Sequence, residues 1–191
     1  MSSLDVRATG GATADEAMAL LRGLARAATA CALPLPARQE TVEPWRGLGF
    51  NVGSNRLVSE LGQVLEVVAP PRLTPIPGVR PWVLGVANLR GRLLPVIDLC
   101  GYVGLENTAP RPQWRVLVVE DGELYCGLLV EQSFGMMQFE PQEAEEPEEA
   151  SLDPSIARFV RGGFRQSARP WRVIDVRALV REPAFFDVAA I

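Results

Sequence analysis

The sequence predicts a mostly β protein built from two copies of a small β-barrel-like unit, with an N-terminal helix and short helices after strands. From Trp45 onward, short β-branched runs are broken by glycine and proline, which is typical of small-strand β architectures. In addition, Val-Ile-Asp-Leu at 96–99 recurs as Val-Ile-Asp-Val at 173–176, and an apolar-Arg-Gly triplet precedes each copy, at 89–91 and 160–162. A strand that twice runs into a helix-capping aspartate indicates a duplicated unit.

Residues 1–44 are predicted to form a flexible leader and an amphipathic helix. Thr13 and Glu16 have capping-box spacing, so each side chain can satisfy a free backbone N–H of the helix start. Apolar residues then recur at three- and four-residue spacing as far as Cys31, and Pro34 ends the helix. This apolar stripe either packs on the protein's own domain or docks on a partner.

The first half of the main domain is predicted to consist of two hairpins and a single strand. The turn at 53–55 joins strands at 47–52 and 56–59, and a third strand covers 64–68. The proline-dense stretch 70–78 excludes regular helix and central strand. The elements that follow are a helical turn at 81–84, strands at 85–89 and 93–97, and a helix at 99–103 with Asp98 as its N-cap.

The second half repeats this texture around an acidic interruption. Seven carboxylates and no arginine lie between Glu140 and Asp153, which predicts a solvated, mobile loop near 140–154. Asp175 is predicted to cap a last helix that ends near Pro183, followed by a tail at 184–191. The predicted strands lie at 115–120, 124–131, 135–139, 159–164 and 171–174, with a hairpin turn at Asp121-Gly122.

Composition removes a large part of enzyme chemistry. All 19 cationic residues are arginine, and histidine is absent. The chain therefore has no imidazole acid or base, no histidine-containing zinc site, no Schiff-base lysine and no phosphate-loop lysine. The glycines form no phosphate-binding pattern. Together with the missing histidine and lysine, this leads us to expect no cofactor and no metal. Net charge is −4 and the acidic excess is local, which argues against a nucleic-acid partner.

The three cysteines and the hydropathy pattern predict a cytoplasmic protein without membrane insertion. Cys31, Cys100 and Cys126 are widely spaced and form no C-x-x-C pair, so we interpret them as buried free thiols. The longest uncharged stretch, 27–37, contains two prolines and is far shorter than the roughly 20 apolar residues that cross a bilayer.

The sequence strongly resembles the CheW family of chemotaxis coupling proteins. The resemblance rests on Val-x-Glu-Val at 64–67, Pro-Gly at 77–78, Gly-Val-x-Asn-Leu-Arg-Gly at 85–91 and Pro-Val-Ile-Asp-Leu at 95–99, in the family's order and spacing. It covers residues 45–183 and is weaker in the second half. The extension leading into the first strand looks more like the twitching-motility branch named PilI than the flagellar branch.

The resemblance implies two SH3-like five-stranded barrels on a shared core, and a non-enzymatic adaptor. Such proteins link the cytoplasmic tip of a methyl-accepting chemoreceptor to the regulatory domain of a CheA-type histidine kinase, and they can associate with other CheW-like domains. The protein would be cytoplasmic and recruited to membrane-associated receptor arrays. The implied receptor-binding residues are Asn88, Arg90, Gly91 and Val64, and the implied kinase-binding residues are Glu66 and Gly85.

The residues alone leave alternatives open. Arg90 could be a solvated hairpin arginine, and Glu66 could pair with an arginine of its own chain. The alternative functions are a CheW-like scaffold for a flagellar or other signalling kinase and a small β-barrel enzyme. Such an enzyme would use Asp98, Asp175 and Cys100, although both aspartates are better interpreted as helix caps.

Overall fold

The computed structural model describes residues 14–30, 43–107, 109–146 and 153–190, in two compact units at 1–41 and 42–191. In the first unit, helix α1 spans Ala14–Ala30. Asp15 and Glu16 lie in its first turn, where negative charge interacts favourably with the helix dipole. The predicted capping residue Thr13 and the stripe end at Cys31 lie outside the described residues. No described helix is long and apolar enough to cross a membrane.

The described residues of the second unit form eleven strands and four short helices. β-branched residues favour the strands, and the glycines and prolines between them keep each strand to eight residues or fewer. The strands are β1 Trp45–Val52, β2 Asn55–Glu60, β3 Glu66–Val68, β4 Val83–Leu89, β5 Arg92–Asp98, β6 Arg115–Asp121, β7 Leu124–Val130, β8 Gln132–Phe139, β9 Ala144–Glu145, β10 Val160–Gln166 and β11 Arg169–Ile174. The helices are α2 Leu99–Val103, α3 Pro154–Ala157, α4 Val176–Val180 and α5 Pro183–Phe186.

The strands form two sheets with matching topology. The first sheet has the order β8-β1-β2-β11-β10-β9 and is called the first barrel below; the second has the order β3-β6-β7-β5-β4 and is called the second barrel. In each, one hairpin pairs in parallel with a second hairpin, β2 with β11 and β7 with β5. The chain crosses between them twice, since β3 follows β2 but pairs with β6, and β8 follows β7 but pairs with β1. The protein is therefore mostly β, as predicted.

The two barrels match residue by residue. Val173 lies opposite Val58 in the first barrel, and Val96 lies opposite Gly127 in the second. The Val-Ile-Asp repeat at 96–98 and 173–175 therefore occupies equivalent strands, and each copy leads into a short helix, α2 or α4. The duplication predicted from these residues is confirmed.

The prediction that the two apolar-Arg-Gly triplets occupy equivalent positions is wrong. Residues 89–91 form the tip of the β4–β5 hairpin, whereas 160–162 form a bulge at the start of β10, equivalent to the bulge between Val83 and Gly85. The turn equivalent to Arg90-Gly91 is Ser167-Ala168, since both connect the same pair of strands. A short string match cannot separate a turn from a bulge when both contain glycine.

The largest apolar cluster, called the shared core below, draws on both barrels. Two smaller clusters belong to the second barrel and to the first. The shared core combines strand residues of the first barrel with strand residues of the second and with the faces of α2, α4 and α5. The turn of the β1–β2 hairpin reaches α2, where the Gly53 N–H donates to the Cys100 thiol at 3.2 Å. Cys100 and Cys126 are both buried and free, as expected, whereas Cys31 lies outside the described residues. Fully buried members include Phe50, Leu57, Leu117, Leu128 and Ile174.

Several local predictions need correction. The helical turn expected at 81–84 is absent because β4 already begins at Val83, and the third strand begins at Glu66 rather than at residue 64. Asp98 occupies the N-cap position of α2, but its side chain accepts from Asn107 Nδ2 instead of a helix N–H. Asp175 does cap α4, accepting from the Ala178 N–H.

The C-terminal region is more ordered than a tail. The helix predicted to end near Pro183 is α4, which ends at Val180, and a further helix, α5, follows at Pro183–Phe186 with Phe185 buried in the shared core. Ala189 then forms a β-bridge with Val79, which joins the C-terminal residues to the proline-dense segment.

The acidic segment begins as ordered structure, so the expectation of a mobile loop is wrong for residues 140–146. Glu140 and Glu143 form a reciprocal capping box around a 3₁₀ turn, and β9 pairs with β10. The Glu145 carboxylate bridges Arg165 at 2.7 Å and Arg172 at 3.1 Å. These two ion pairs balance the charge of Glu145 with arginines that lie outside the acidic segment. Residues 147–152 lie outside the described residues.

Candidate functional site

The tip of the β4–β5 hairpin presents the predicted receptor-binding residues. Leu89 pairs with Arg92, so the two-residue connection is Arg90-Gly91, with φ angles of 53° and 85°. Two consecutive positive φ angles define a type I′ turn, whose twist matches that of the strands. The Asn88 Oδ1 accepts a hydrogen bond from the Gly91 N–H at 2.8 Å and fixes the turn.

Arg90 occupies a backbone conformation that favours glycine or asparagine. A non-glycine residue in the left-handed region costs about 1–2 kcal/mol, because its Cβ approaches the following carbonyl. The Arg90 side chain is 78% exposed, so its burial does not compensate this strain. Strain that packing does not explain is typical of a residue kept for binding.

Arg90 forms an ion pair with Glu66, the predicted kinase-binding residue. Arg90 Nη2 lies 2.7 Å from Glu66 Oε2, and the Glu66 side chain is 22% exposed. Of the alternatives that the sequence left open for Glu66, pairing with an arginine of its own chain is the arrangement observed. The residues assigned to two different partners thus form a single site, called the Arg90–Glu66 pair below.

The geometry leaves Arg90 able to bind a further acceptor. A guanidinium has five N–H donors in a planar fork, and the hydrogen bond to Glu66 uses one of them. The remaining donors lie at an exposed hairpin tip, where a partner carboxylate or helix carbonyl can reach them.

Val64 and Gly85 are not part of this exposed site. Val64 packs against the shared core. Gly85 is buried at φ 132°, and a Cβ there would overlap the carbonyl oxygen of Thr74. Thr74 forms a β-bridge with Val86, so Gly85 allows the proline-dense segment to close against β4. The roles of Val64 in receptor binding and of Gly85 in kinase binding stay predictions.

A second ion pair beside the site was not predicted. Arg92 Nη2 lies 2.8 Å from Glu120 Oε1, and the guanidinium stacks 3.8 Å from the Tyr125 ring centroid. The hydrogen bond that Arg92 donates to the Glu120 carboxylate raises the pKa of Arg92. Sequence reasoning had no signal for this pair, because Glu120 and Tyr125 reach Arg92 only through the parallel pairing of β5 with β7.

Exposed apolar side chains flank the ion pairs. Leu93 on β5 lies opposite Asn88, and Leu65 and Val67 lie on either side of Glu66 in the chain. Leu93 is 71% exposed and Leu65 is 59% exposed. The second barrel therefore presents both charged and apolar side chains to solvent.

The residues of the alternative enzyme do not form a reactive set. The Cys100 thiol is fully buried, and burial raises its pKa to about 12, so it carries no thiolate at neutral pH. Asp175 caps α4, and Asp98 accepts from Asn107. Among the described residues, no group of three cysteine, aspartate or glutamate side chains could hold a metal ion.

Comparison with known proteins identifies the family of this chain. Residues 46–184 match the model of the CheW-like domain family. The chain is 46% identical to Protein PilI of Pseudomonas aeruginosa, over 81% of this chain and 86% of that protein, and 27% identical to chemotaxis protein CheW of Bacillus subtilis, over 69% and 83%. The scaffolding protein TtCheW of Thermoanaerobacter tengcongensis shares the fold, with a TM-score of 0.60 at 24% identity over 74% of this chain and 95% of that one. The chain therefore belongs to the CheW-like domain family.

Proposed function

We propose that this protein is a non-enzymatic adaptor that couples the cytoplasmic tip of a methyl-accepting chemoreceptor to the regulatory domain of a CheA-type histidine kinase. The observation that carries the proposal is the Arg90–Glu66 pair at a strained, exposed hairpin tip, beside exposed leucines. A surface with charge and apolar area but no reactive set suits binding rather than catalysis. The adaptor acts in the cytoplasm, at membrane-associated receptor arrays.

The pathway that we propose is the control of type IV pilus twitching motility. The support is the 46% identity to a PilI protein, against 27% to a chemotaxis CheW. Deletion of the gene should abolish twitching on a surface and leave swimming in soft agar intact. Loss of swimming with normal twitching would instead favour the flagellar alternative.

The receptor role of Arg90 is tested by charge reversal. Arg90→Glu should weaken binding of a receptor cytoplasmic fragment about 30-fold or more, which corresponds to the roughly 2 kcal/mol of a binding hot spot. Surface plasmon resonance with the full chain measures this. Arg46→Glu is the matched control, because Arg46 is exposed on the first barrel and has no ion-pair partner among the described residues. Equal affinities of the two variants would contradict the assignment of Arg90.

A double variant separates binding from internal support. Glu66→Arg together with Arg90→Glu keeps an ion pair between the two positions but reverses its polarity. If Arg90 contacts the receptor, the double variant stays as weak as Arg90→Glu. Recovery of wild-type affinity in the double variant would mean that the pair only holds the hairpin in place.

The kinase role of Glu66 needs its own measurement. Glu66→Gln should weaken binding of the kinase regulatory domain more than binding of the receptor fragment, because it removes the acceptor charge and leaves Arg90 in place. A loss confined to receptor binding would assign both residues to the receptor.

A further inference from the structure

Arg56, on β2 of the first barrel, lies between two aromatic rings. Its guanidinium carbon is 5.5 Å from the Trp171 ring centroid and 5.9 Å from that of Phe134, and the two rings meet edge to face at 5.3 Å. Trp171 is buried, whereas Phe134 is 38% exposed. The rings therefore hold the cation through cation–π attraction at a place that solvent reaches. This group of residues, together with Arg169, is called the Arg56 corner below.

Among the residues that the structure describes, no carboxylate pairs with the Arg56 corner. Within the part of the chain that the structure describes, Arg56 has no ion pair and no hydrogen-bond acceptor. Its cross-strand neighbour Asn51 is neutral, and the Asn51 Oδ1 makes no hydrogen bond. Arg169 is exposed on the same face of β11 as Trp171 and likewise lacks a carboxylate partner among the described residues. Two cations thus share one corner.

The second barrel shows what completes the same corner. The hairpin register that places Asn51 opposite Arg56 places Glu120 opposite Tyr125, and Arg169 and Arg92 are the equivalent first residues of β11 and β5. There Arg92 stacks on Tyr125 and binds the Glu120 carboxylate at 2.8 Å. The second barrel therefore supplies from its own strands a carboxylate that the described residues of the first barrel do not provide at this corner.

We propose that the Arg56 corner binds a glutamate or aspartate side chain of a partner protein, presented on a short acidic segment. A carboxylate is the ligand of the equivalent arginine in the second barrel, and it matches the planar fork of a guanidinium. The exposed Phe134 ring adds an apolar contact for the stem of the incoming side chain. This goes beyond the adaptor function, because the corner lies on the barrel that does not carry the Arg90–Glu66 pair.

The test uses a hexaglutamate peptide as the probe and the full chain at low salt. Titration should shift the Nε–Hε signals of Arg56 and Arg169 in ¹H–¹⁵N NMR spectra. Arg56→Gln should weaken peptide binding about tenfold in calorimetry, as expected for a hydrogen bond to a charged group. Arg72→Gln is the matched control and should bind as the wild type does, since Arg72 is exposed in the proline-dense segment and loses the same charge.

A third variant supplies a carboxylate to the Arg56 corner from the chain itself. Asn51→Glu places a carboxylate where the second barrel has Glu120, and it should weaken peptide binding although both arginines remain. Arg169→Gln tests the same corner if Asn51→Glu does not fold. Equal peptide affinity of Arg56→Gln and Arg72→Gln would overturn the proposal, because binding would then follow net charge alone. Inorganic phosphate that shifts the Arg56 signal at lower concentration than the peptide would overturn it too, in favour of a phosphate ligand.

This result is independent of the adaptor function. Arg90→Glu should leave the response of the Arg56 signal to hexaglutamate unchanged, because the two sites lie on different barrels. The peptide experiment can therefore fail while receptor and kinase binding stand, and the reverse also holds.

Discussion

The two barrels share one topology but place their charges differently. In the second barrel, Arg90 binds Glu66; the register puts Ser167 and Gly135 at the equivalent positions of the first barrel, where no ion pair can form. At the neighbouring corner the contrast is reversed. Arg92 is neutralised by Glu120, whereas its equivalent Arg169 and the neighbouring Arg56 have no carboxylate partner among the described residues.

The two barrels therefore agree in backbone structure and differ in the charged residues on their surfaces. Strand pairing and the bulges at 83–85 and 160–162 recur in both barrels because register and core packing specify them. The exposed corners carry no such constraint. An adaptor that contacts several proteins needs different surfaces on similar scaffolds, which is what the two barrels provide.

The largest contrast that we expect concerns two equivalent glycines. Gly85→Ala should lower the free energy of unfolding by about 3 kcal/mol, because φ is 132° and the new Cβ overlaps the Thr74 carbonyl. Gly162→Ala, at the equivalent bulge, should change it by less than about 1 kcal/mol, since no atom lies within 4 Å of its Cβ position. Urea unfolding of both variants measures the difference. Similar losses would show that the bulge itself, and not the approach of Thr74, requires glycine.

The second contrast is the extra strand β9 of the first barrel. Glu145→Gln should cost about 2 kcal/mol, because it removes the carboxylate charge that lies 3.1 Å from Arg172, whose side chain is only 8% exposed. The neighbouring Glu146 is exposed, so Glu146→Gln should stay within about 0.5 kcal/mol of the wild type. Chemical denaturation monitored by tryptophan fluorescence tests both. An equally small effect of Glu145→Gln would mean that β9 is held by its backbone pairing alone.

The acidic segment shows where sequence reasoning was insufficient. Its composition predicts a solvated loop, yet Glu145 is ordered by Arg165 and Arg172, which lie on β10 and β11. Composition records the charge of a segment but not the distant charges that it meets. The hairpins and the Asp175 cap were predictable because their signals are local, a turn or a residue next to a helix start.

The candidate site, like the fold, was predictable only in part. The motif resemblance selected Asn88, Arg90, Gly91 and Glu66, which the structure brings together. It also selected Val64, which is partly buried against the core, and Gly85, which is buried. A motif preserves both binding and packing residues, and only burial separates them. The Arg56 corner had no local signal, because it depends on the pairing of β2 with β11.

The next contrast concerns the two equivalent hairpin turns. Ala168 has a φ of 61°, so Ala168→Gly should relieve strain and stabilise the fold by about 0.5 kcal/mol after the entropy cost of glycine. Arg90→Gly relieves the same strain in the second barrel but loses the ion pair to Glu66. Thermal unfolding should show gains for both, smaller for Arg90→Gly, whereas only Arg90→Gly should lose receptor binding. Loss of receptor binding in Ala168→Gly as well would place part of the receptor surface on the first barrel.

The smallest effect that we expect concerns the contact between the first hairpin of each barrel and the region of a short helix. In the second barrel, Asp121 forms an ion pair with Arg181, just after α4, and this hydrogen bond lowers the pKa of Asp121. In the first barrel the equivalent contact is from the Gly53 N–H to the Cys100 thiol, which stays protonated because burial raises its pKa to about 12.

These two contacts should respond differently to acid. Because the pKa of Asp121 is lower in the folded protein, its stabilisation is complete above the unfolded value of about 3.9 and is lost as the pH falls through the folded value. The stability difference between the wild type and Asp121→Asn should therefore be constant from pH 5 to pH 7 and shrink below about pH 4. The difference between the wild type and Cys100→Ala should not change over that range, because the thiol does not titrate there. Urea unfolding at a series of pH values measures both, and a difference for Asp121→Asn that persists undiminished in acid would mean that its side chain stabilises the hairpin without its charge.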